Sequence, residues 1–434
     1  MGSASEQIQK MILCALTFLL LLCLGVPIAF TILGASVAYF TLNPMLASIV
    51  AQRMSSSLES FPLLAVPFFI IAGGAMARGG IARRLYHLAD GLVGHWWGGL
   101  AQVAVMNSLF LGAMSGSSNA DAAIDARTIA PIMRERGYSN GFASVVSAAS
   151  GVIAPIMPPS IGLIVYGLLT DTSIGRLFTG GVIPALLIAV ALLATVRFAA
   201  KRRNYRPERE HRLPLKETAA RAWSAAWALA MPVLLLVGLR GGWFTPTELG
   251  AMAAVYALVV GLVVYRGFGL GEIYPLLRES ALTTANVLFI IAAASVFSLI
   301  LALEQVPQQM VTALLSISDN KYVVLLVINL LLLVLGTMLE GLALLIILVP
   351  ILLEVTRSLG IDPVHFGIVL VFNTTIGSIT PPVGTVLFTV CSITRCSIEE
   401  FASESVPFLV ALIGVLMLLT FVPSLVTFLP DLLF

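Results

Sequence analysis

Charge is what this chain lacks most. Only 11% of its 434 residues are Asp, Glu, Lys or Arg, where ordinary soluble domains carry about 25%. With 59% apolar residues and a mean hydropathy of +1.01, the chain cannot cover a water-facing surface, which excludes a soluble enzyme. The 24 Lys+Arg are nearly balanced by 22 Asp+Glu, so the basic surface that nucleic-acid binding needs is missing too. Histidine and cysteine number four each. His87, His95, His211 and His365 are scattered, and Cys14, Cys23, Cys391 and Cys396 lie in or beside apolar segments. No metal-ligand pair, nucleophile–base cluster or disulfide framework can be read from them. A cleavage site is also missing. Residues 11–24 resemble a signal-peptide core but run into a second apolar segment without an A-x-A-like site, so they are read as a retained first helix.

What the chain has instead is apolar runs of about 20 residues, each long enough to cross a bilayer as a helix. The pattern predicts an all-α polytopic membrane protein with spans near 11–24, 27–42, 62–78, 139–169, 174–199, 222–240, 246–265, 280–303, 363–394 and 404–430. Residues 44–60 and 266–279 are more polar and read as amphipathic arms at the interface. His95, Trp96 and Trp97 give 85–97 the character of an interfacial belt. The basic segment 200–221 reads as a solvated loop and, by the positive-inside rule, as cytoplasmic, with Arg78, Arg83, Arg84, Arg134 and Arg136 on the same side.

The chain also repeats itself. Pro27 and Pro246 are 219 residues apart in similar contexts, and F-F-I-I-A-G-G-A from Phe68 matches L-F-I-I-A-A-A-S from Leu288 at an offset of 220. Pro131-Ile132 matches Pro350-Ile351, and I-A-P-I-M-P-P from Ile153 matches I-G-S-I-T-P-P from Ile376 at 223. Four matches in one order amount to a duplication. Residues 1–199 and 222–434 form the two copies, joined by 200–221. Five spans plus one hairpin per copy is an odd count of crossings, which predicts an inverted repeat.

Two features break the helical pattern in each copy. Hairpins are expected over about 98–133 and 322–358, because their arms of about 15 residues only partly cross a core of about 30 Å. Their tips are Ser115-Gly116-Ser117-Ser118-Asn119-Ala120-Asp121 and Gly336-Thr337-Met338-Leu339-Glu340-Gly341. Broken helices are expected over about 139–169 and 363–394. There Ser150–Ser160 holds three prolines and Asn373–Gly384 holds Pro381-Pro382; each proline removes an amide donor and clashes with the preceding turn. Carbonyls freed there, with serine and threonine hydroxyls, suit a hard cation such as Na⁺. Small-residue packing or simple kinking explains one such cluster; it does not explain matched pairs in both copies.

The stretches S-G-S-S-N-A-D-A-A, G-Y-S-N-G-F-A and I-A-P-I-M-P-P-S-I, followed later by I-D-P-V-H-F-G-I and T-I-G-S-I-T-P-P-V-G, resemble the large membrane subunit of tripartite ATP-independent periplasmic (TRAP) transporters over essentially the whole chain. The resemblance implies an ion-transporter-type elevator fold in the bacterial inner membrane. It also implies Na⁺-coupled import of an organic acid such as a sialic acid, a sugar acid or a C4-dicarboxylate, with no cofactor besides the coupling ion. It implies a separate small four-helix (Q-type) membrane subunit, a soluble periplasmic (P-type) binding protein and membrane lipids as partners, and no nucleic acid.

By the same resemblance a first Na⁺ site comprises Ser115, Gly116, Ser117 and Ser118 with backbone oxygens around Gly151, Ile153 and Pro155. A second comprises Gly336, Thr337, Thr375, Gly377 and Ser378. Substrate-facing candidates are Asn119, Asp121, Arg127, Pro158, Pro159, Glu340, Pro381 and Pro382. Asp121 matches an acidic position of the family motif and suits either helix capping or ion and substrate work. Asp125 and Arg127 depart from the motif, where relatives tend to carry small or apolar residues. Asp121 and Asp125 share a helix face, which leaves Arg127 for the substrate carboxylate or a lipid phosphate. Glu340 either holds its tip or adds negative charge near the second Na⁺. Glu248 and Glu304 read as interfacial and carry no assigned role. The competing readings are a stand-alone anion symporter of the same architecture and, in a different class, a channel or non-transporting scaffold.

Overall fold

The computed structural model describes residues 2–41, 47–209 and 211–434. Residues 42–46, where the expected span 27–42 meets the expected arm 44–60, lie outside them, as does Glu210 of the basic segment. The fold is all-α, and no strand occurs among the described residues. Seven described helices are long and apolar enough to cross a membrane.

The first re-entrant hairpin pairs Gly99–Ser115 with Ser118–Glu135, and the second pairs Lys321–Gly336 with Gly341–Ser358. The first broken helix runs as Asn140–Gly151 and Ile161–Thr170; the second as Pro363–Ile379 and Thr385–Thr394. These elements form the buried centre. Every residue from Val364 to Ile379 is buried, as is every one from Gly141 to Gly151. The outer helices Leu215–Arg240 and Pro246–Val259 instead expose Trp223, Val233, Leu234, Val255 and Val259. Apolar residues on that side are at home in lipid or against another membrane helix.

Hairpins and broken helices interlock across the two copies. Arm Ser118–Glu135 packs on Thr385–Thr394, and arm Gly341–Ser358 packs on Ile161–Thr170. Polar contacts reinforce the first of these: the Thr389 hydroxyl donates to Asn119 Oδ1 at 3.3 Å, and Arg134 Nη1 donates to the Thr394 carbonyl at 3.5 Å.

Four features depart from the sequence pattern. The expected arm at 266–279 and the span at 280–303 form a single helix from Ile273 to Leu303. Arg278 and Glu279 make its first turns look like a separate surface helix, but no breaker follows Pro275, and at 1.5 Å per residue 31 residues reach about 46 Å, enough to protrude beyond the core. Residues 304–321, unassigned by the pattern, hold a helix over Val306–Ile317, bent by 118° from the arm that follows. The expected span 404–430 is two helices, Ile398–Phe421 and Ser424–Leu433, because Pro423 drives Val422 out of the helical region.

The basic segment is the fourth. It is not a free loop: the helix Ile174–Arg202 reaches into it and Leu215–Arg240 begins inside it. The stretch between them straps together the base of the first hairpin and the short helix Ile81–Val93. Asp90 pairs with Arg209 and Arg221, both at 2.7 Å, Arg136 with Glu208 at 3.2 Å, and Arg203 with Glu404 at 2.6 Å. The Tyr205 ring lies 4.3 Å from that of Tyr138, and its hydroxyl accepts the Ser139 amide at 3.1 Å.

Candidate functional site

Proline chemistry positions the site. In the first broken helix the chain leaves the α-helix at Gly151, turns through Val152–Pro159, and restarts at Ile161 with the Ser160 hydroxyl accepting the Leu163 amide at 3.2 Å. The carbonyls of Gly151 and Ile153, expected to be free, accept turn bonds from Ala154 and from Ile156 and Met157. No backbone amide of the turn donates to Val152, Ala154 or Pro155. In the second broken helix the break is narrower than expected. Thr380, ahead of Pro381, is extended, but Asn373–Ile379 stays helical because only the proline pair forbids the helix. There the hydroxyls of Thr374 and Thr375 donate to the Val371 carbonyl and that of Ser378 to Thr375. The hydroxyl protons are thereby spent on the backbone, and the oxygens keep lone pairs to offer.

Each hairpin tip docks on the broken helix of its own copy. Gly116 sits at φ +58°, and a Cβ there would lie 2.8 Å from the Pro159 carbonyl oxygen. In the second copy a Cβ on Gly377 would stand 2.6 Å from the backbone of Gly336, and the Gly384 amide donates to the Thr337 carbonyl at 2.8 Å. The Ser117 hydroxyl caps the arm Ser118–Glu135, accepting from the Ala120 amide, so capping does not fall to Asp121. Glu340 caps the arm Gly341–Ser358.

Between the tips lies a cavity of about 450 Å³. Ser115 through Ala120 and Pro155 line it from the first copy, and Glu340, Thr374, Thr375, Ser378 and Thr385 from the second. Helices begin at Ser118, Ile161, Gly341 and Thr385, and all four N-termini face this space. Each brings unpaired amides and the positive end of a helix dipole. Glu340 is the one ionisable side chain among the lining residues, and no Lys, Arg or His is among them.

The remaining candidates fall elsewhere. Asp121 is fully buried behind the tip, with the Ser115 hydroxyl beside its carboxylate. Asp125, one turn on, is buried in a complete cradle: Asn107 Nδ2 donates at 3.0 Å, Ser108 at 2.9 Å and Ser150 at 3.2 Å. Arg127 is exposed on the outside of its arm and lines nothing. Gly151, Ile153, Pro158, Pro159, Gly336, Thr337, Gly377, Pro381 and Pro382 stand outside the lining; Gly336 and Gly377 make the docking contact described above. Sequence reasoning missed the wall facing the tips, made of Ile70, Gly73 and Gly74 on Ala65–Arg78 with Thr283, Asn286 and Ile290 on Ile273–Leu303. A signal existed, since Ile70 and Ile290 occupy equivalent places in the F-F-I-I and L-F-I-I repeat and Thr283, Thr284 and Asn286 interrupt an apolar span.

Residues 15–425 match the family described as "Tripartite ATP-independent periplasmic transporter, DctM component". This chain belongs to that family. As a TRAP large permease it is a transporter subunit, not an enzyme, and a multi-pass protein of the bacterial inner membrane. Its family works with a small membrane subunit and a periplasmic binding protein. Among similar proteins, the isethionate TRAP transporter permease protein DctMQ of Oleidesulfovibrio alaskensis is 41% identical over 95% of this chain, which spans 65% of that relative's length. The sialic acid TRAP transporter large permease protein SiaM of Vibrio cholerae is 40% identical over 95% of this chain and 96% of its own. The C4-dicarboxylate large permease DctM of Pseudomonas aeruginosa is 37% identical over 92% and 93%. The YdaH transporter of Alcanivorax borkumensis shares the fold at a TM-score of 0.62 and 15% identity, covering 88% of each chain.

Proposed function

We propose that this TRAP permease imports an organic acid by Na⁺-coupled symport, in an elevator movement that carries the cavity between the tips across the membrane. The observation that carries this reading is the convergence of four helix N-termini on a cavity without a basic side chain. An anion held there is met by backbone amides and dipoles and by metal cations, not by arginine.

Ser115, Gly116, Ser117 and Ser118 with the broken turn around Gly151, Ile153 and Pro155 hold one Na⁺; Gly336, Thr337, Thr375, Gly377 and Ser378 hold the other. Hydroxyl oxygens whose protons are committed to carbonyls are fitting ligands for a hard cation, and the buried carboxylate of Asp121 adds negative charge behind the first site. The halves 1–199 and 222–434 act as inverted repeats about the cavity, with 200–221 cytoplasmic. The hairpins and broken helices form the moving body, and Ala65–Arg78, Leu215–Arg240, Pro246–Val259 and Ile273–Leu303 form a scaffold that the small subunit braces. The substrate class spans sialic acids, sugar acids and C4-dicarboxylates, and the binding protein delivers it.

The test is uptake into proteoliposomes holding this chain and its small subunit, with the binding protein outside. An inward Na⁺ gradient drives accumulation with cooperative Na⁺ dependence. Equal accumulation in K⁺ with a proton gradient refutes the coupling, and full uptake by this chain alone refutes the tripartite assembly.

A further inference from the structure

The scaffold side of the cavity carries polar side chains of its own, Thr283 and Asn286. Asn286 lies midway along Ile273–Leu303, in a stretch whose mean hydropathy is 2.5. Its side chain is exposed, lines the cavity, and makes no hydrogen bond among the described residues. An unpaired carboxamide at membrane depth is costly unless water or a ligand meets it. Thr283 lies one turn earlier on the same face; it donates its proton to the Glu279 carbonyl at 3.0 Å and keeps an acceptor oxygen. The first tip rides directly on the opposite scaffold helix: a Cβ on Gly73 would stand 3.0 Å from the Met114 carbonyl oxygen and 3.5 Å from Ser115 Cα.

We propose that Asn286, supported by Thr283, is the specificity-determining residue of the fixed wall: it reads neutral hydroxyl or amide groups at the end of the substrate remote from the carboxylate. This rests on the reading of the cavity as the substrate site. A carboxamide both donates and accepts, which matches a hydroxyl or an acylamino group. A second carboxylate would find no cation on this wall and would face Glu340 across the cavity. The class selected is therefore a hydroxylated monocarboxylate. Because the scaffold stays in place while the tips travel, the substrate touches Asn286 in only one end state of the movement, so its affinity is tuned on one side of the membrane only.

The experiment measures Na⁺-driven uptake and efflux of N-acetylneuraminate, 2,3-diketo-L-gulonate, succinate and isethionate by the reconstituted permease with its small subunit and binding protein. The wild type prefers one of the two hydroxylated monocarboxylates. Asn286→Ala raises KM by about tenfold, roughly the loss of one good hydrogen bond, in one direction of transport, while the Na⁺ half-saturation and Hill coefficient stay at wild-type values. Asn286→Ser, which restores a shorter donor and acceptor on the same helix face, recovers part of the loss and guards against a folding defect. An unchanged KM in both directions, or an equal rise in both, overturns the role of Asn286 while leaving Na⁺ coupling intact. A preference for succinate or isethionate overturns the substrate class. Transport of none of the four in a Na⁺ gradient overturns the proposed function and this inference with it.

Discussion

Replacing Gly377 by alanine tests the docking of the second tip directly. The added methyl would lie 2.6 Å from both the carbonyl carbon and the Cα of Gly336 and 3.0 Å from its oxygen. All three are backbone atoms, so no side chain can swing away. Restoring ordinary contact at about 3.5–4 Å requires the tip and the broken helix to part by roughly 1 Å. Overpacking of this kind costs about 1–3 kcal/mol. If that strain falls on the Na⁺-bound form, in which tip and helix must meet around the ion, it weakens Na⁺ binding by about five- to 150-fold. The expected result is a raised Na⁺ half-saturation and a Hill coefficient falling toward one, with the first site left in place. Gly414→Ala serves as reference, because nothing lies within 4 Å of its Cβ position and alanine favours the helix. A Gly377→Ala protein that folds, transports, and keeps the Na⁺ half-saturation and Hill coefficient of the Gly414→Ala protein would refute the reasoning.

Asp125→Ala strands the buried donors of Asn107 and Ser108, at about 1–3 kcal/mol each, while the Ser150 hydroxyl can turn to the Ser147 carbonyl 3.1 Å away. Asp125→Asn costs less, since Asn107 Oδ1 has no partner among the described residues and can accept from the new amide; melting curves in detergent should rank the two in that order. His95 Nε2 accepts from Trp96 Nε1 at 3.0 Å and Arg212 Nε at 3.1 Å, and burial, then Arg212 and Arg209, hold its pKa below the usual 6.5. The neutral ring is the one that fits, so its contribution is complete above pH 6.5 and is lost as pH falls through the folded value. His95→Gln should flatten the dependence of melting temperature on pH in that window. Finally, Arg134→Cys and Arg357→Cys, made in a Cys23→Ser background because Cys23 is the exposed native thiol, should react with an impermeant thiol reagent from opposite faces of the membrane. Labelling from one face ends the inverted-repeat reading.

The membrane class, the two hairpins and the two broken helices were all legible in the sequence, and for one reason. Lipid leaves the backbone no partner but itself, so every departure from a continuous apolar helix must be written locally, in Gly116, in Pro158-Pro159 or in Pro381-Pro382. The family was legible for the same reason, because those breaks are its motifs. Contacts between distant segments are not written locally. Arg127 and Asp125 sit two residues apart, yet one is exposed and the other lies in a cradle built by two other helices. The wall with Gly73 and Asn286 is brought to the tips from more than 40 residues away on one side and 50 on the other. Local chemistry determined where this chain breaks its helices; which breaks face one another, and what stands across from them, was decided only when the two copies packed around a shared cavity.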